Sequence, residues 1–144
     1  MILNERQYSI TKSKIKEFVE AKDKYLEELA EPANRNEQLR QKAYLDTMHN
    51  QLEVLQQEVR EYEELKSGNI KSLKIDSFEE LPEALIKARI IRGLTQAQLA
   101  DILQVKQQQV QRDENNKYAS ASFTKLLKIQ QALNIEVKEE LLFN

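Results

Sequence analysis

Between residues 37 and 66, Leu45, Met48, Leu52, Leu55, Val59 and Tyr62 recur alternately three and four apart. On a helix that spacing puts Leu45, Leu52 and Val59 in one column and Met48, Leu55 and Tyr62 in the next, a coiled-coil-like heptad seam. A looser stripe precedes it. From Lys12 to Glu31, with Thr11 as N-cap, Ile15, Phe18, Val19, Tyr25, Leu26 and Leu29 share a helical face that a charge interrupts at Lys22. Pro32 disfavours the helical conformation in the residue before it, so this helix ends near Glu31. Pro32 to Asn36 reads as a short loop, with Asn36 as the cap of a second helix, Glu37–Lys66, which Ser67, Gly68 and Asn69 terminate. Two amphipathic helices joined by so short a loop pack antiparallel. Their stripes either close on each other or meet a second hairpin in a four-helix dimer. Leu26, Leu29 and Leu39 lie partly off the seam and favour the dimer, which would form through residues 12–66. Lys22 and the lone His49 read as solvated polar positions.

The pattern changes after residue 69. Ile70 to Ser77 has no period and reads as an extended linker or a brief strand. Ser77 and Glu80 have the spacing of a capping box, but Pro82 falls too deep for one helix to run through it. A turn of helix over Phe78–Leu81 is therefore expected, then a helix with Pro82 at its first position. That helix carries Leu85, Ala88, Ile90 and Ile91 and stops at Gly93. Thr95 caps the next, which runs to about Leu103 with Ala97, Leu99, Ala100 and Leu103 inward. After a turn at Gln104–Val105–Lys106, a third helix spans Gln107–Glu114 with Val110 inward. Ser120 or Ser122 caps a fourth, carrying Phe123, Leu126, Leu127, Ile129 and Leu133, and Ile135–Leu142 can supply a short fifth. The expectation is an all-α chain: a helical hairpin over residues 1–69, a connector over 70–78 and a five-helix domain over 79–144.

Composition agrees and narrows the chemistry. Two Gly and two Pro in 144 residues leave little room for tight β-turns. There is no Cys, hence no disulfide framework and no thiolate metal site. No apolar run approaches the ~20 residues needed to span a bilayer, and MILNERQYSITKSK has no uninterrupted apolar segment to serve as a secretory signal, so a cytoplasmic location is expected. With one His, no glycine-rich phosphate loop and no acidic cluster at metal spacing, neither an enzyme nor a bound cofactor or metal is expected. Residues 79–144 hold nine basic and nine acidic side chains. Zero net charge is unusual for a segment that binds nucleic acid, where phosphate neutralisation supplies much of the affinity.

The stretch GLTQAQLADILQVKQQQVQRDEN, Gly93–Asn115, nevertheless carries the side chains for that work. Gln107, Gln108, Gln109 and Arg112 point to solvent from the third helix. Gln can bond adenine N6 and N7 together, and Arg can do the same at guanine O6 and N7. Thr95 and Gln96 stand at a helix N-terminus, where unpaired N–H groups and the helix dipole attract a phosphate.

The string ALIKARIIRGLTQAQLADILQVKQQQVQRDENNK resembles the phage repressor and Cro type of helix-turn-helix, the XRE family. The marks are Ala88–Arg89, Gly93–Leu94–Thr95–Gln96, Leu99–Ala100, Val105, Val110, Arg112 and Glu114–Asn115, and the resemblance covers Leu81 to Leu141. It implies a five-helix domain that docks on double-stranded DNA, usually as a twofold dimer, and so a bacterial or phage-encoded transcription regulator, most simply a repressor. It further implies base contacts from Gln107, Gln108 and Arg112, a phosphate contact from Gln96, and a structural ion pair between Arg89 and Glu114. Thr95, Lys106, Lys117 and Tyr118 complete the expected phosphate-contacting set. A second reading is an antitoxin that holds a toxin protein on its hairpin and regulates its own operon. The sequence departs from the family at Asp113, where an apolar or aromatic residue is usual, and at Gln104 and Asn116, where Gly is frequent; Asn116 is the natural substitute at positive φ.

Overall fold

Six α-helices and one 3-10 turn, with no strand, make up the computed structural model, which describes residues 1–144. The chain divides into two compact units, residues 1–63 and 64–144. No helix is long and apolar enough to cross a membrane.

In the first unit, α1 spans Glu5–Glu27 and α2 begins at Arg35, running on to Lys66. Both start earlier than the periodicity suggested, because each has a cap upstream of the expected one, Asn4 seven residues before Thr11 and Asn34 two before Asn36. Asn4 Oδ1 accepts from Gln7 N–H at 2.9 Å, and Gln7 Oε1 accepts from Leu3 N–H at 2.8 Å. Asn34 and Glu37 repeat the arrangement: Asn34 Oδ1 accepts from Glu37 N–H at 2.9 Å and Glu37 Oε2 from Ala33 N–H at 2.8 Å. Two otherwise orphaned donors are satisfied at each start. Thr11 is therefore not a cap. It lies inside α1, buried, with its hydroxyl donating to the Gln7 carbonyl at 2.8 Å. Asn36 likewise lies within α2. α1 also ends early, at Glu27, and the amide of Gln41 ties the intervening loop through the Ala30 carbonyl at 3.1 Å.

The two helices run antiparallel. Tyr8 meets Tyr62 with ring centroids 5.2 Å apart, and Tyr25 meets Tyr44 at 4.6 Å. Along the α2 seam Met48, Leu52, Val59 and Tyr62 are buried, with Leu45 and Leu55 half-buried. Ile2 and Leu3, before α1, are buried as well, and the terminal ammonium of Met1 lies 3.5 Å from Glu58. Val19, Leu26, Leu39, Tyr44 and Val54 stay exposed, and so does His49. A pair of helices has one contact line, and these side chains are off it.

In the second unit, the linker after Gly68 (φ 78°) has no regular structure up to the 3-10 turn Phe78–Glu80. Ser77 makes no side-chain capping bond; Glu80 instead accepts from the Asp76 N–H at 2.7 Å. α3 spans Leu81–Ile91, α4 Gln96–Leu103, α5 Gln107–Asn115 and α6 Phe123–Leu133. Pro82 sits one residue inside α3, where no helical N–H is lost. Leu85, Ile86, Leu99, Val110, Ile129 and Leu133 are each 2% exposed or less and form the interior on which α3, α4, α5 and α6 converge. Phe123 and Leu127, expected inside, are exposed; Phe123 stacks on Phe78 at 6.0 Å instead.

The expected fifth helix over Ile135–Leu142 is absent. α6 stops at Asn134, which takes the left-handed conformation, and residues 135–144 have no regular structure. Two forces act against a helix there. β-Branched Ile135 and Val137 alternate with polar residues and are half-buried, while Leu141, Leu142 and Phe143 are exposed. A segment this short holds a helix only when one face packs. Arg92 closes the end of α6, donating from Nε to the Leu133 carbonyl at 3.1 Å and from Nη2 to that of Asn134 at 2.5 Å.

Candidate nucleic-acid interface

The geometry is fixed by the turn between α3 and α4 and the turn between α4 and α5. Gly93, at φ 71°, lets the chain leave α3, and its N–H and that of Leu94 bond back to Ile90 and Arg89. Thr95 then caps α4 through a reciprocal pair: Gln98 N–H donates to its hydroxyl at 3.1 Å, and its own N–H donates to Gln98 Oε1 at 2.8 Å. α4 ends on Gln104 in the left-handed conformation, φ 58°, and the Val105 N–H returns to the Ala100 carbonyl at 3.0 Å. Left-handed backbone costs a residue with a Cβ about 1–2 kcal/mol, so the turn is held by its neighbours rather than by Gln104 itself.

α5 emerges with two unlike sides. Val110 and Glu114, one turn apart, are 2% and 1% exposed. Gln107, Gln108 and Arg112 are exposed, while Gln109, Gln111 and Asp113 are half-buried on the flanks. Lys106, at the N-cap of α5, is exposed too. The helix thus presents two amides and a guanidinium to solvent.

Beneath it lies a buried polar cluster. Arg89 Nε is 2.6 Å from Glu114 Oε2, its Nη2 is 2.7 Å from Glu114 Oε1, and its Nη1 donates to the Leu94 carbonyl at 2.7 Å. Arg89 is 3% and Glu114 1% exposed. This two-pronged pair joins α3 to the end of α5 and to the turn before α4. The desolvation cost of such a pair offsets much of its attraction, but losing one partner strands the other charge at about 3–5 kcal/mol.

Two residues expected at the phosphate surface belong to the interior instead. Gln96 is 3% exposed, and its Nε2 donates to Glu114 Oε1 at 2.9 Å, so it completes the ion-pair cluster. Tyr118 is 4% exposed; burial, aided by the charges of Glu114 and Asp113, raises its phenol pKa. For Tyr118 the reason is local. The positive φ expected at Asn116 falls instead on Lys117 (54°) and Tyr118 (53°), which turns the ring inward. Lys117 remains exposed and lies 3.2 Å from Glu83. Burial pushes the Glu83 carboxyl upward, but the ammoniums of Lys117 and Lys87 outweigh it and lower its pKa.

Asp113, where the resemblance led one to expect an apolar residue, turns to polar partners. Its Oδ2 lies 2.5 Å from Lys125 Nζ on α6, and its Oδ1 accepts from Gln109 Nε2 at 3.0 Å. Neither Lys125 nor Arg92 stands out in the sequence.

Residues 85–139 match the helix-turn-helix family. No curated protein and no solved structure matches the chain.

Proposed function

We propose that this protein, whose C-terminal unit is a DNA-binding helix-turn-helix domain of the phage repressor and Cro type, is a sequence-specific transcription regulator that reads the major groove with α5. One observation carries the reading: α5 buries Val110 and Glu114 while Gln107, Gln108 and Arg112 stand in solvent. The inward side is fully committed to the fold, so the outward side is free to meet bases. Thr95, Lys106 and Lys117 are the phosphate contacts in this reading, and Gln96 and Tyr118 support them from inside.

The domain's zero net charge makes a single copy a weak binder, since few counterions are released. A cytoplasmic homodimer through the N-terminal helices supplies the second recognition helix, one DNA turn or ~34 Å away, and represses by occluding a promoter. The exposed Val19, Leu26, Leu39, Tyr44 and Val54 support it, as apolar surface that a lone hairpin leaves wet. The same surface favours a second reading, in which the N-terminal unit holds a toxin and the protein is its antitoxin.

Binding of a duplex from the protein's own promoter tests the first claim. Gln108→Ala with Arg112→Ala is expected to weaken it by about 2–4 kcal/mol in all, against unrelated DNA as control; unchanged affinity refutes base reading by α5. Sedimentation equilibrium of the intact chain at tens of micromolar decides the dimer. Growth arrest on expressing a neighbouring reading frame, relieved by this protein, decides for the antitoxin.

A further inference from the structure

A carboxylate on a helix that approaches DNA repels the phosphates, and Asp113 is one. It lies six residues beyond Gln107 on α5, about 9 Å along the axis at 1.5 Å per residue, and adjoins Arg112. The far end of the helix is thus about one Debye length away at roughly 0.1 M salt, and the Arg112 end is nearer. Both oxygens are engaged: Oδ2 by Lys125 at 2.5 Å, Oδ1 by Gln109 at 3.0 Å. The Asp113 side chain is 16% exposed and that of Lys125 37%.

We propose that Lys125, on α6, is a positioning residue for DNA binding: it neutralises Asp113 and, through Asp113, holds Gln109 away from the bases. The proposal rests on the reading of α5 above. It explains how the recognition helix tolerates an acid. The charge is cancelled from behind by a different helix, so Arg112 and the exposed glutamines meet DNA without repulsion from their own element. It also separates two kinds of glutamine. Gln107 and Gln108 are exposed to bond bases, whereas Gln109 is half-buried with one of its two amide N–H donors engaged by Asp113.

A double-mutant cycle on the intact protein tests it, using a promoter duplex at about 50 mM and 200 mM salt. Lys125→Met is expected to weaken binding about five- to tenfold at the lower salt and less at the higher, since the bared charge is screened. Asp113→Asn is expected to bind at least as well as wild type. Combining the two is expected to match Asp113→Asn within about twofold, and Lys125→Arg to keep most of the affinity. If Lys125→Met costs as much beside Asp113→Asn as alone, Lys125 touches phosphate itself and the proposal falls. Wild-type affinity in Lys125→Met also overturns it. Should Lys125→Met unfold, Asp113→Asn alone decides, and a loss of threefold or more is then fatal. Failure of base reading is distinguishable: Gln108→Ala with Arg112→Ala would bind like wild type, while the cycle at Lys125 still reports on phosphate repulsion.

Discussion

The two units solve the problem of burying apolar side chains to different extents. In the second unit four helices converge, and Leu85, Ile86, Leu99 and Ile129 are sealed to 1% exposure or less around an Arg89–Glu114 pair with every buried polar side-chain atom satisfied. In the first unit two helices meet along a line. Met48, Leu52 and Val59 remain 7–9% exposed, and Leu39, Tyr44 and Val54 more than half. Residue quality contributes, since α1 and α2 are more polar than α3, α4 and α6. Number adds to it: a third and a fourth helix turn a seam into an interior. The second unit is therefore expected to hold its fold by itself, and the first to gain stability on association.

The contrast breaks most readily at the buried pair. Glu114→Ala leaves Arg89 and Gln96 without their shared acceptor and is expected to cost about 3–5 kcal/mol in urea unfolding, with DNA binding lost alongside. A cost below 1 kcal/mol would mean that the domain's interior relaxes as easily as the hairpin. Leu52→Ala, on the wetter seam, is expected to cost about 2 kcal/mol, at the low end for such a truncation, because water already reaches the site.

A finer probe is Leu26→Glu with Leu39→Glu. Both side chains are exposed, so an isolated hairpin would notice little. With the dimer, the pair is expected to abolish concentration dependence of the thermal midpoint; an unaltered dependence would place the interface elsewhere. Gly93→Ala isolates backbone strain, because a Cβ there meets nothing within 4 Å while φ is 71°. A loss of about 1 kcal/mol is expected, read by urea midpoint. The smallest effect concerns Glu83. Its pKa is lowered in the fold, so its contribution is present above its ordinary value of 4.5 and is lost as pH falls through the folded value. Exposed as its partners are, Glu83→Gln should change stability at pH 7 by a few tenths of a kcal/mol and flatten the acid limb slightly.

How much of this was legible in the sequence depends on range. The α2 seam and the order α3 to α6 follow from local periodicity and from Gly93 and Thr95, whose roles are met within three residues. The starts of α1 and α2 were equally local, in Asn4 with Gln7 and Asn34 with Glu37, but Thr11 and Asn36 offered rival caps nearer the apolar stripe. Thr11 and Lys22 hide a run of three-and-four spacings from Tyr8 to Leu29, because polar residues occupy two of its positions. Gln96 could not be assigned locally: its side chain turns inward to a carboxylate eighteen residues away. Lys125 is harder still, since twelve residues separate it from Asp113, and only the fold, which packs α6 against α3 and α4, makes them neighbours. The tail misled in the opposite sense, for a count of apolar residues says nothing about whether a face exists to receive them.

The inward commitment of α5 has one more consequence. Val110, Glu114 and the left-handed corner at Lys117–Tyr118 hold this helix without help from Gln107, Gln108 or Arg112. Those three side chains stand in solvent in the free protein. On the proposed reading of α5, exchanging them would rewrite the code without touching the machine that presents it: descendants of this chain could drift to new operators, and an engineer could randomise the three codons while leaving every supporting residue in place.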